Sequence, residues 1–399
     1  MATLLCALVV GRYLFSSVCI IFGFDYVGSE NSRIYTYLMA FLAVFGCLFF
    51  VYQLTAGRKK ISHFALIGLT AMLALTLYLY VGKGAYEDIY DLLSLFVVFA
   101  LPAFLVGICV DNHGAVGLDK ILKVLYVLMP LFTLAVALYQ LLNASSGWTT
   151  RAFADVSYQM VSYIAAFSFG INVILLSDKK NDLPDFVHTK FFRVIQDVLL
   201  LVQAACVLVS GGRGGVVLLA IYVIWGTLRL SKGKGSVFRF FAFLLIAIMA
   251  VFGVSAFVDW TSSSQLAGVQ RLLSLRDNRS ELYSQAFLLI ENKPLLGYGP
   301  GGYYSYLDVY CHNLLLDLLL SFGLLGTSFI ALFFGAPIVA TIKRIKDEAY
   351  YPLLVLLFLF MFCHLFFSST FLVDPILWFL AGVFLNGMQD SGLDMKEVG

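Results

Sequence analysis

The sequence predicts an all-α polytopic membrane protein: one integral membrane domain over residues 1–399, with about 12 transmembrane helices and one long outer loop. Of the 399 residues, 61% are hydrophobic and only 13% are charged, whereas soluble domains carry about a quarter charged residues. Apolar runs such as "YPLLVLLFLFMFCHLFF" recur along the chain and approach the roughly 20 residues that cross a bilayer as a helix. The seven cysteines lie nearly all inside such runs and form no C-x-x-C pair. They therefore predict buried apolar positions and not a disulfide framework.

Hydropathy predicts spans at 3–24, 34–54, 63–82, 92–110, 121–142, 158–176, 194–210, 216–230, 238–258, 312–339, 350–371 and 374–388. The Lys and Arg residues then set the orientation, because cytoplasmic loops carry an excess of them. With the N-terminus inside, seventeen of the 26 fall on the inner side, eight fall on the outer side, and Arg12 falls within the first span. Both termini are therefore predicted to be cytoplasmic.

Residues 259–311 form the only long loop between the predicted spans, and they lie on the outer side. Its apolar residues recur at helical spacing and predict two short amphipathic helices, broken near Asp277–Ser280. They are Leu272, Leu275, Leu282, Phe287 and Ile290. Loops this long in a compact fold are usually functional or disordered, and this one is too apolar for disorder. We therefore expect the loop to carry function.

The loop ends in a literal G-x-G-x-x-G, formed by Gly297, Gly299 and Gly302. A dinucleotide site needs these glycines to follow a buried strand and open a helix. Here they follow an amphipathic helix and precede a span, which excludes that site. Two interpretations stay open: a turn that bends the chain back to the membrane, or a glycine-lined surface that a bulky head group can approach. The neighbouring tyrosines would then belong to an interfacial aromatic belt or stack on sugar rings.

His312 is the sharpest candidate for chemistry. Of the five histidines, it alone is predicted at the outer mouth of a span, in the first turn, followed by Asn313 and, one turn on, Asp317. A helix N-terminus lowers the pKa of an imidazole and leaves it neutral and able to accept a proton. A lone interfacial histidine is usually only a satisfied polar residue. This one, however, shares a membrane face with several arginines: Arg213, Arg271, Arg276 and Arg279.

The stretch "VSGGRGGVV", residues 209–217, joins two spans by a very short outer turn and places Arg213 between pairs of glycines. Small residues let a helix or a ligand come close, and an arginine near the hydrocarbon edge is generally paired or functional. Six of the eight outer charges are Arg, whose planar fork suits phosphate. His364, in the span 350–371, is open to two interpretations: a buried histidine bonded to a backbone carbonyl, or a catalytic one.

These motifs resemble the O-antigen ligase/polymerase superfamily. The resemblance rests on "SGGRGG", then "RDNRSELYSQAFLLIENKPLLGYGPGGYY", then "HNLLLDLLLSFGLLG", and is strongest over residues 205–330. It implies a bacterial inner-membrane glycosyltransferase of the GT-C type, whose long loop and active site are periplasmic. The family's catalytic arginines and histidine map onto Arg213, Arg279 and His312. One departure is Ser321, where the family often has an acidic residue, and Asp317 would substitute for it.

The resemblance implies an undecaprenyl-pyrophosphate-linked glycan as donor, a glycan acceptor in the bilayer and no cofactor. Arginines can stabilise a leaving pyrophosphate without a metal, and the sequence has no D-x-D. The predicted reaction is metal-independent and inverts the anomeric carbon by direct displacement, with neutral His312 accepting the proton of the acceptor. The predicted substrate-binding residues are Arg276, Asn313, Asp317, Tyr298, Tyr303 and Tyr304.

A polymerase, which transfers the growing glycan to a fresh repeat unit, is favoured over a ligase, which transfers it to lipid A–core. A chain-length regulator protein is a candidate partner, and no nucleic acid is expected. The alternative from another class is a lipid-linked sugar flippase or transporter. Such proteins typically place charges near the bilayer midplane and have related halves, whereas these spans are nearly free of ionisable residues and show no repeat.

Overall fold

The computed structural model describes residues 2–24, 30–56, 60–81, 89–110, 117–143, 156–177, 189–230, 279–307, 309–345 and 351–387. These residues form helices and turns, with no β-strand among them. In chain order the helices are α1 (Ala2–Phe22), α2 (Glu30–Thr55), α3 (His63–Val81), α4 (Ile89–Leu95), a π-helical turn (Phe96–Ala100), α5 (Leu101–Cys109), α6 (Leu118–Asn143), α7 (Tyr158–Ser177), α8 (Lys190–Ser210), α9 (Arg213–Leu230), α10 (Arg279–Asn292), α11 (Tyr304–Leu307), α12 (Leu314–Ile345), α13 (Tyr351–Phe367) and α14 (Pro375–Asn386).

The described helices are those of a multi-pass membrane protein, as predicted. Eight are long and apolar enough to cross a membrane: α1, α2, α3, the continuous α4–π–α5 unit, α6, α7, α8 and α12. Three shorter apolar helices, α9, α13 and α14, coincide with further predicted spans. The predicted span 238–258 lies outside the described residues, as do Leu272, Leu275 and Arg276. The count of 12 spans and the orientation stay predictions, and "outer" below means the side on which the sequence predicts the long loop.

Helix α7 is at the centre of the helix packing. Of its span, 89% is buried inside the protein, so α7 is surrounded by other helices and not by lipid. Asn172 donates a hydrogen bond to the Gln196 carbonyl at 2.9 Å and another to Gln203 Oε1 at 3.3 Å, and Gln203 Nε2 donates to Thr133 Oγ1 at 2.9 Å. Polar groups inside a bilayer must find partners within the protein. These bonds therefore tie α6, α7 and α8 together.

The longest helix, α12, is interrupted at Gly323. Its φ of 62° and ψ of −170° lie in a region that is essentially restricted to glycine. The interruption leaves N–H and C=O groups on both sides of Gly323 that an unbroken helix would pair internally. Within a membrane those groups need other partners in the protein.

The segment 294–299, just before α11, supplies these partners. Four backbone hydrogen bonds join it to α12: Tyr298 N–H to the Leu320 carbonyl (2.7 Å), Gly299 N–H to the Ser321 carbonyl (2.9 Å), Leu324 N–H to the Pro294 carbonyl (2.7 Å) and Leu325 N–H to the Leu295 carbonyl (3.2 Å). A Cβ at Gly297 would lie 2.5 Å from the Leu320 carbonyl oxygen. At Gly297 the structure therefore supports the first interpretation of the glycine motif, a turn, and this turn docks into a break in the span.

Candidate active site

The sequence predicts His312 in the first turn of α12. In the structure it lies two residues before the helix, which begins at Leu314. The helix begins later because Asn313 caps it: Asn313 Oδ1 accepts hydrogen bonds from the backbone N–H groups of Leu315 at 3.0 Å and Leu316 at 3.2 Å. His312 has a φ of 51° and is the only described residue other than glycine with a positive φ. Residues held in such conformations cost free energy and cluster at functional sites. The backbone geometry thus marks His312 independently of its side chain.

The imidazole of His312 packs against Tyr310, with the ring centroids 4.2 Å apart. The Tyr310 hydroxyl donates to the Ser368 carbonyl oxygen at 3.2 Å, and the Ser368 backbone also forms a hydrogen bond with the His312 imidazole. The Nδ1 atom of His312 is buried and has no hydrogen-bond partner among the described residues. Buried polar atoms without a partner are uncommon and require an explanation. The unpartnered Nδ1 atom therefore keeps His312 a candidate for chemistry.

The His312 imidazole is neutral at pH 7. Burial, and then the positive charge of Arg279, lower its pKa to about 4, while the hydrogen bond to Ser368 acts in the opposite direction. The sequence predicts the same neutral state from the helix N-terminus, but the causes in the structure are burial and Arg279. Arg279 is the first residue of α10, which packs on α12. Arg279 therefore lies near enough to His312 for its charge to act on the imidazole.

The loop 368–374, between α13 and α14, is the part of the site that the sequence does not reveal. The Ser368 Oγ atom lies 3.1 Å from the Tyr163 hydroxyl of α7, and the Ser368 carbonyl receives Tyr310. Thr370 Oγ1 donates to Asp317 Oδ2 at 2.7 Å. One loop thus contacts α7, α12 and the segment before α12. The only sequence signal is a short run of hydroxyl residues, "SST", that interrupts two apolar spans.

Asp317 lies behind the site and not on its surface. It is only 1% exposed, and each carboxylate oxygen accepts a hydrogen bond, Oδ1 from Tyr303 at 2.5 Å and Oδ2 from Thr370. Tyr303 is fully buried and stacks on Tyr304 with the ring centroids 4.8 Å apart. In this conformation neither Asp317 nor Tyr303 offers a surface to a sugar, although the sequence predicts that both bind substrate. Instead they hold the start of α12 to its neighbours.

The tyrosines around the end of α10 differ in the exposed fraction of their side chains. The Tyr298 hydroxyl donates to the Leu289 carbonyl at 3.2 Å, and the Lys293 Nζ atom lies 4.4 Å from the centroid of its ring. Tyr298 also packs against Tyr306, with ring centroids 5.2 Å apart. Tyr306 is 58% exposed, whereas Tyr298 and Tyr304 are half-buried. Sugar stacking by Tyr298 and Tyr304 stays a prediction, and Tyr306 offers a larger open surface.

Arg213 is the first residue of α9 and is half-buried. The glycines beside it pack directly on α7, because a Cβ at Gly212 would lie 2.6 Å from Ser162 Cβ and one at Gly214 would collide with the Tyr163 hydroxyl. The small residues thus serve helix packing. Since Tyr163 also contacts Ser368, the start of α9 and the His312 site lie on the same side of the membrane, as predicted.

His364 is also close to this site. Its Nδ1 atom lies 2.7 Å from Asp374 Oδ2, and Asp374 Oδ1 caps α14 by accepting the Leu377 N–H at 2.9 Å. The partner of His364 is therefore a carboxylate and not the backbone carbonyl that one interpretation of the sequence expects. The His364 ring packs edge-on against Tyr163, with centroids 5.1 Å apart. Asp374 thus holds the His364 ring, and the His364 ring packs against Tyr163 beside the site.

Residues 198–331, about a third of the chain, match the family model described as O-antigen ligase. The matched region contains Arg213, Arg279 and His312. The match confirms the resemblance to the O-antigen ligase/polymerase superfamily. Together with the apolar helices, it supports a glycosyltransferase-like membrane protein of O-antigen and lipopolysaccharide biosynthesis. Comparison with curated proteins and with solved structures gives no match.

Proposed function

We propose that the protein is a bacterial inner-membrane glycosyltransferase that polymerises undecaprenyl-pyrophosphate-linked repeat units into O-antigen or a related surface polysaccharide. The observation that carries this proposal is the juxtaposition of His312 and Arg279 inside the region matched to the family. His312 is neutral and held in a strained backbone conformation. A neutral imidazole can accept a proton, and a guanidinium can bind phosphate. Transfer of a glycan from a pyrophosphate carrier needs a proton acceptor and a positive charge on the leaving group's side, and these two residues can supply both.

The reaction assigns a role to each group. The acceptor oxygen forms a bond to the anomeric carbon, the bond from that carbon to the pyrophosphate oxygen breaks, and undecaprenyl pyrophosphate leaves with the bonding electrons. Arg279 and Arg213 stabilise the negative charge that develops on the leaving group. His312 takes the proton of the acceptor hydroxyl. Direct displacement of this kind inverts the anomeric configuration, and the arginines supply the charge that a metal ion would otherwise provide.

Ligation is the second candidate function, because the matched family model carries that description. A ligase uses the same donor and releases the same leaving group, so Arg213, Arg279 and His312 would keep their roles. Only the acceptor differs: lipid A–core in place of a fresh repeat unit on a second carrier.

Glycan display in a deletion strain tests the proposal. The strain is complemented with wild type, His312→Ala, Arg279→Ala or Arg213→Ala, and the amount of each protein in the membrane is measured. Lipopolysaccharide with single repeat units after deletion identifies a polymerase. Lipopolysaccharide without O-antigen, alongside full-length glycan on the carrier, identifies a ligase. Full complementation by all three variants would contradict the site and favour a transporter.

The pH dependence of the reaction is expected to change when Arg279 is replaced with glutamine. The positive charge of Arg279 disfavours protonated His312, so its removal raises the pKa of His312 from about 4. Since the proposed reaction needs neutral His312, activity is lost as the pH falls through this pKa. The acid limb of kcat/KM should therefore lie at higher pH in Arg279→Gln than in wild type. Arg33→Gln, at an exposed arginine of α2, should leave the limb in place, and an unshifted limb in Arg279→Gln would contradict the coupling.

A further inference from the structure

The Ser368 carbonyl oxygen lies just beyond the end of a helix. Ser368 directly follows α13, which ends at Phe367, and its N–H still donates to the His364 carbonyl at 2.8 Å. The carbonyl groups at a helix end have no partner within the helix and need donors from elsewhere. The Tyr310 hydroxyl supplies one donor, at 3.2 Å from the Ser368 oxygen. Because a carbonyl oxygen has two lone pairs, it can accept a second hydrogen bond.

The His312 imidazole is the second donor. The Ser368 backbone forms a hydrogen bond with this ring, and the Ser368 N–H is already bonded to the His364 carbonyl. The backbone group that bonds to the ring is therefore the carbonyl, which only accepts, so the imidazole donates. The donating atom is Nε2, because Nδ1 has no partner among the described residues. A neutral imidazole carries its proton on one nitrogen, so Nδ1 keeps a free lone pair.

Tyr310 restricts the orientation of the His312 ring. The two rings pack with their centroids 4.2 Å apart and an angle of 56° between their planes. The hydroxyl of the same tyrosine bonds to the Ser368 carbonyl oxygen. Tyr310 thus contacts both the imidazole and the group that accepts the imidazole proton. A ring that is packed on one side and bonded through Nε2 has little freedom to turn over.

Ser368 is itself held by two other helices. Its Oγ atom lies 3.1 Å from the Tyr163 hydroxyl of α7. Two residues further along the loop, Thr370 Oγ1 donates to Asp317 Oδ2 at 2.7 Å. Asp317 lies in the first turn of α12, the helix that His312 precedes. The imidazole and its acceptor are therefore anchored to the same helix, which fixes the distance between them.

We propose that Tyr310 and Ser368 are positioning residues that hold the His312 imidazole in one tautomer, in which Nδ1 is the atom that takes the proton of the acceptor hydroxyl. The inference rests on the proposed function and adds to it the reacting atom of the base and the two residues that orient it. The opposite tautomer would present an N–H to the acceptor and could not take its proton.

The proposed tautomer gives a balanced proton transfer. The proton of the acceptor hydroxyl moves to Nδ1, and the oxygen's electron pair forms the new bond to the anomeric carbon as the pyrophosphate leaves. The His312 ring becomes an imidazolium that still donates from Nε2 to the Ser368 carbonyl. A hydrogen bond from a charged donor is roughly twice as strong as a neutral one. The Ser368 carbonyl therefore stabilises the ring most after it has taken the proton.

Nitrogen-15 spectroscopy of the histidine rings tests the tautomer without any substrate. The full chain is labelled at its five histidines, reconstituted in nanodiscs and measured at pH 7. The His312 signals are those that disappear in His312→Asn. The two ring nitrogens are told apart because Nε2 couples strongly to both carbon-bound ring protons, whereas Nδ1 couples strongly to one. We expect Nε2 to carry the proton and Nδ1 to be unprotonated, and the reverse would overturn the proposal.

Tyr310→Phe tests the positioning role, because it keeps the ring that packs on His312 and removes only the hydroxyl bonded to Ser368. The loosened imidazole should populate both tautomers in the same spectrum. We expect kcat to fall about tenfold and KM for the carrier-linked donor to stay unchanged, since misplacing a catalytic group slows the reaction without weakening substrate binding. Tyr37→Phe is the matched control, at a tyrosine of α2 that is 71% exposed, and should alter neither the spectrum nor kcat.

Two results for Tyr310→Phe would overturn the positioning role. One is a wild-type spectrum with a wild-type kcat, and the other is a raised KM with unchanged kcat, which would show that Tyr310 binds substrate directly. If Tyr310→Phe does not fold, Ser368→Ala, which removes the contact with Tyr163, carries the same expectations. The spectrum needs no substrate, so an absence of glycan transfer by the wild type would refute the proposed function, while the tautomer is decided separately.

Discussion

Replacing His312 with asparagine is expected to lower turnover by about a hundredfold or more, the usual loss when a general base is removed. His312 combines a pKa of about 4 with a buried Nδ1 that has no partner among the described residues, so it is neutral at pH 7. Asparagine cannot accept a proton at that pH. The measurement is glycan transfer by the purified protein in proteoliposomes with a carrier-linked donor.

Asparagine is the sharper replacement because it tolerates a positive φ better than most residues, so the backbone at position 312 keeps its conformation. His63→Asn is the control, since His63 is exposed at the start of α3 and lies on the predicted inner side. It should transfer glycan at the wild-type rate. His312→Gly adopts the same φ without strain and leaves space for imidazole, which should restore part of the lost activity. Near-normal turnover in His312→Asn would mean that another group takes the proton.

The spans are well predicted where the apolar run is continuous and has clear ends. The sequence predicts a span at 63–82, and the structure has α3 at His63–Val81. The prediction is poorer at α12. The predicted span begins at residue 312, whereas the helix begins two residues later, at Leu314, because Asn313 caps it. The break at Gly323 is invisible in hydropathy, since Gly323 lies within the apolar stretch "FGLLG". It becomes apparent only when the docked segment 294–299 is seen to use the freed backbone groups.

The predicted site residues also divide into those that the sequence can place and those that it cannot. The sequence places Arg279 and His312 on one membrane face, and the structure brings them together. The sequence cannot place Ser368 beside Tyr163, because the two residues are 205 positions apart in the chain and no local pattern links them. Asp317 is a conspicuous acidic residue, but its role depends on Tyr303 and Thr370, whose approach is a property of the folded chain. Residue type predicts which groups can do chemistry, while long-range packing decides which of them reach the substrate.

Gly323→Ala is expected to destabilise the protein strongly. The φ of 62° and ψ of −170° at this position cost an alanine about 1–3 kcal/mol. The added Cβ would also collide with the Leu295 backbone, so the segment 294–299 would have to leave the break in α12. Leaving exposes the backbone groups at the break, which have no water to bond inside a membrane. The expected result is a large fall in the melting temperature of the purified protein, measured in detergent.

Gly335→Ala is the matched control, because Gly335 lies in the same helix and a Cβ there would meet nothing within 4 Å. Alanine favours a helix over glycine by about 1 kcal/mol, so this variant should be as stable as the wild type or slightly more so. Equal melting temperatures for the two variants would show that α12 can close at Gly323 without harm. If they differ as expected, Gly323→Ala should also lower activity at temperatures where it remains folded. The docked segment leads directly through α11 to His312, so a change eleven residues beyond the histidine would disturb its position.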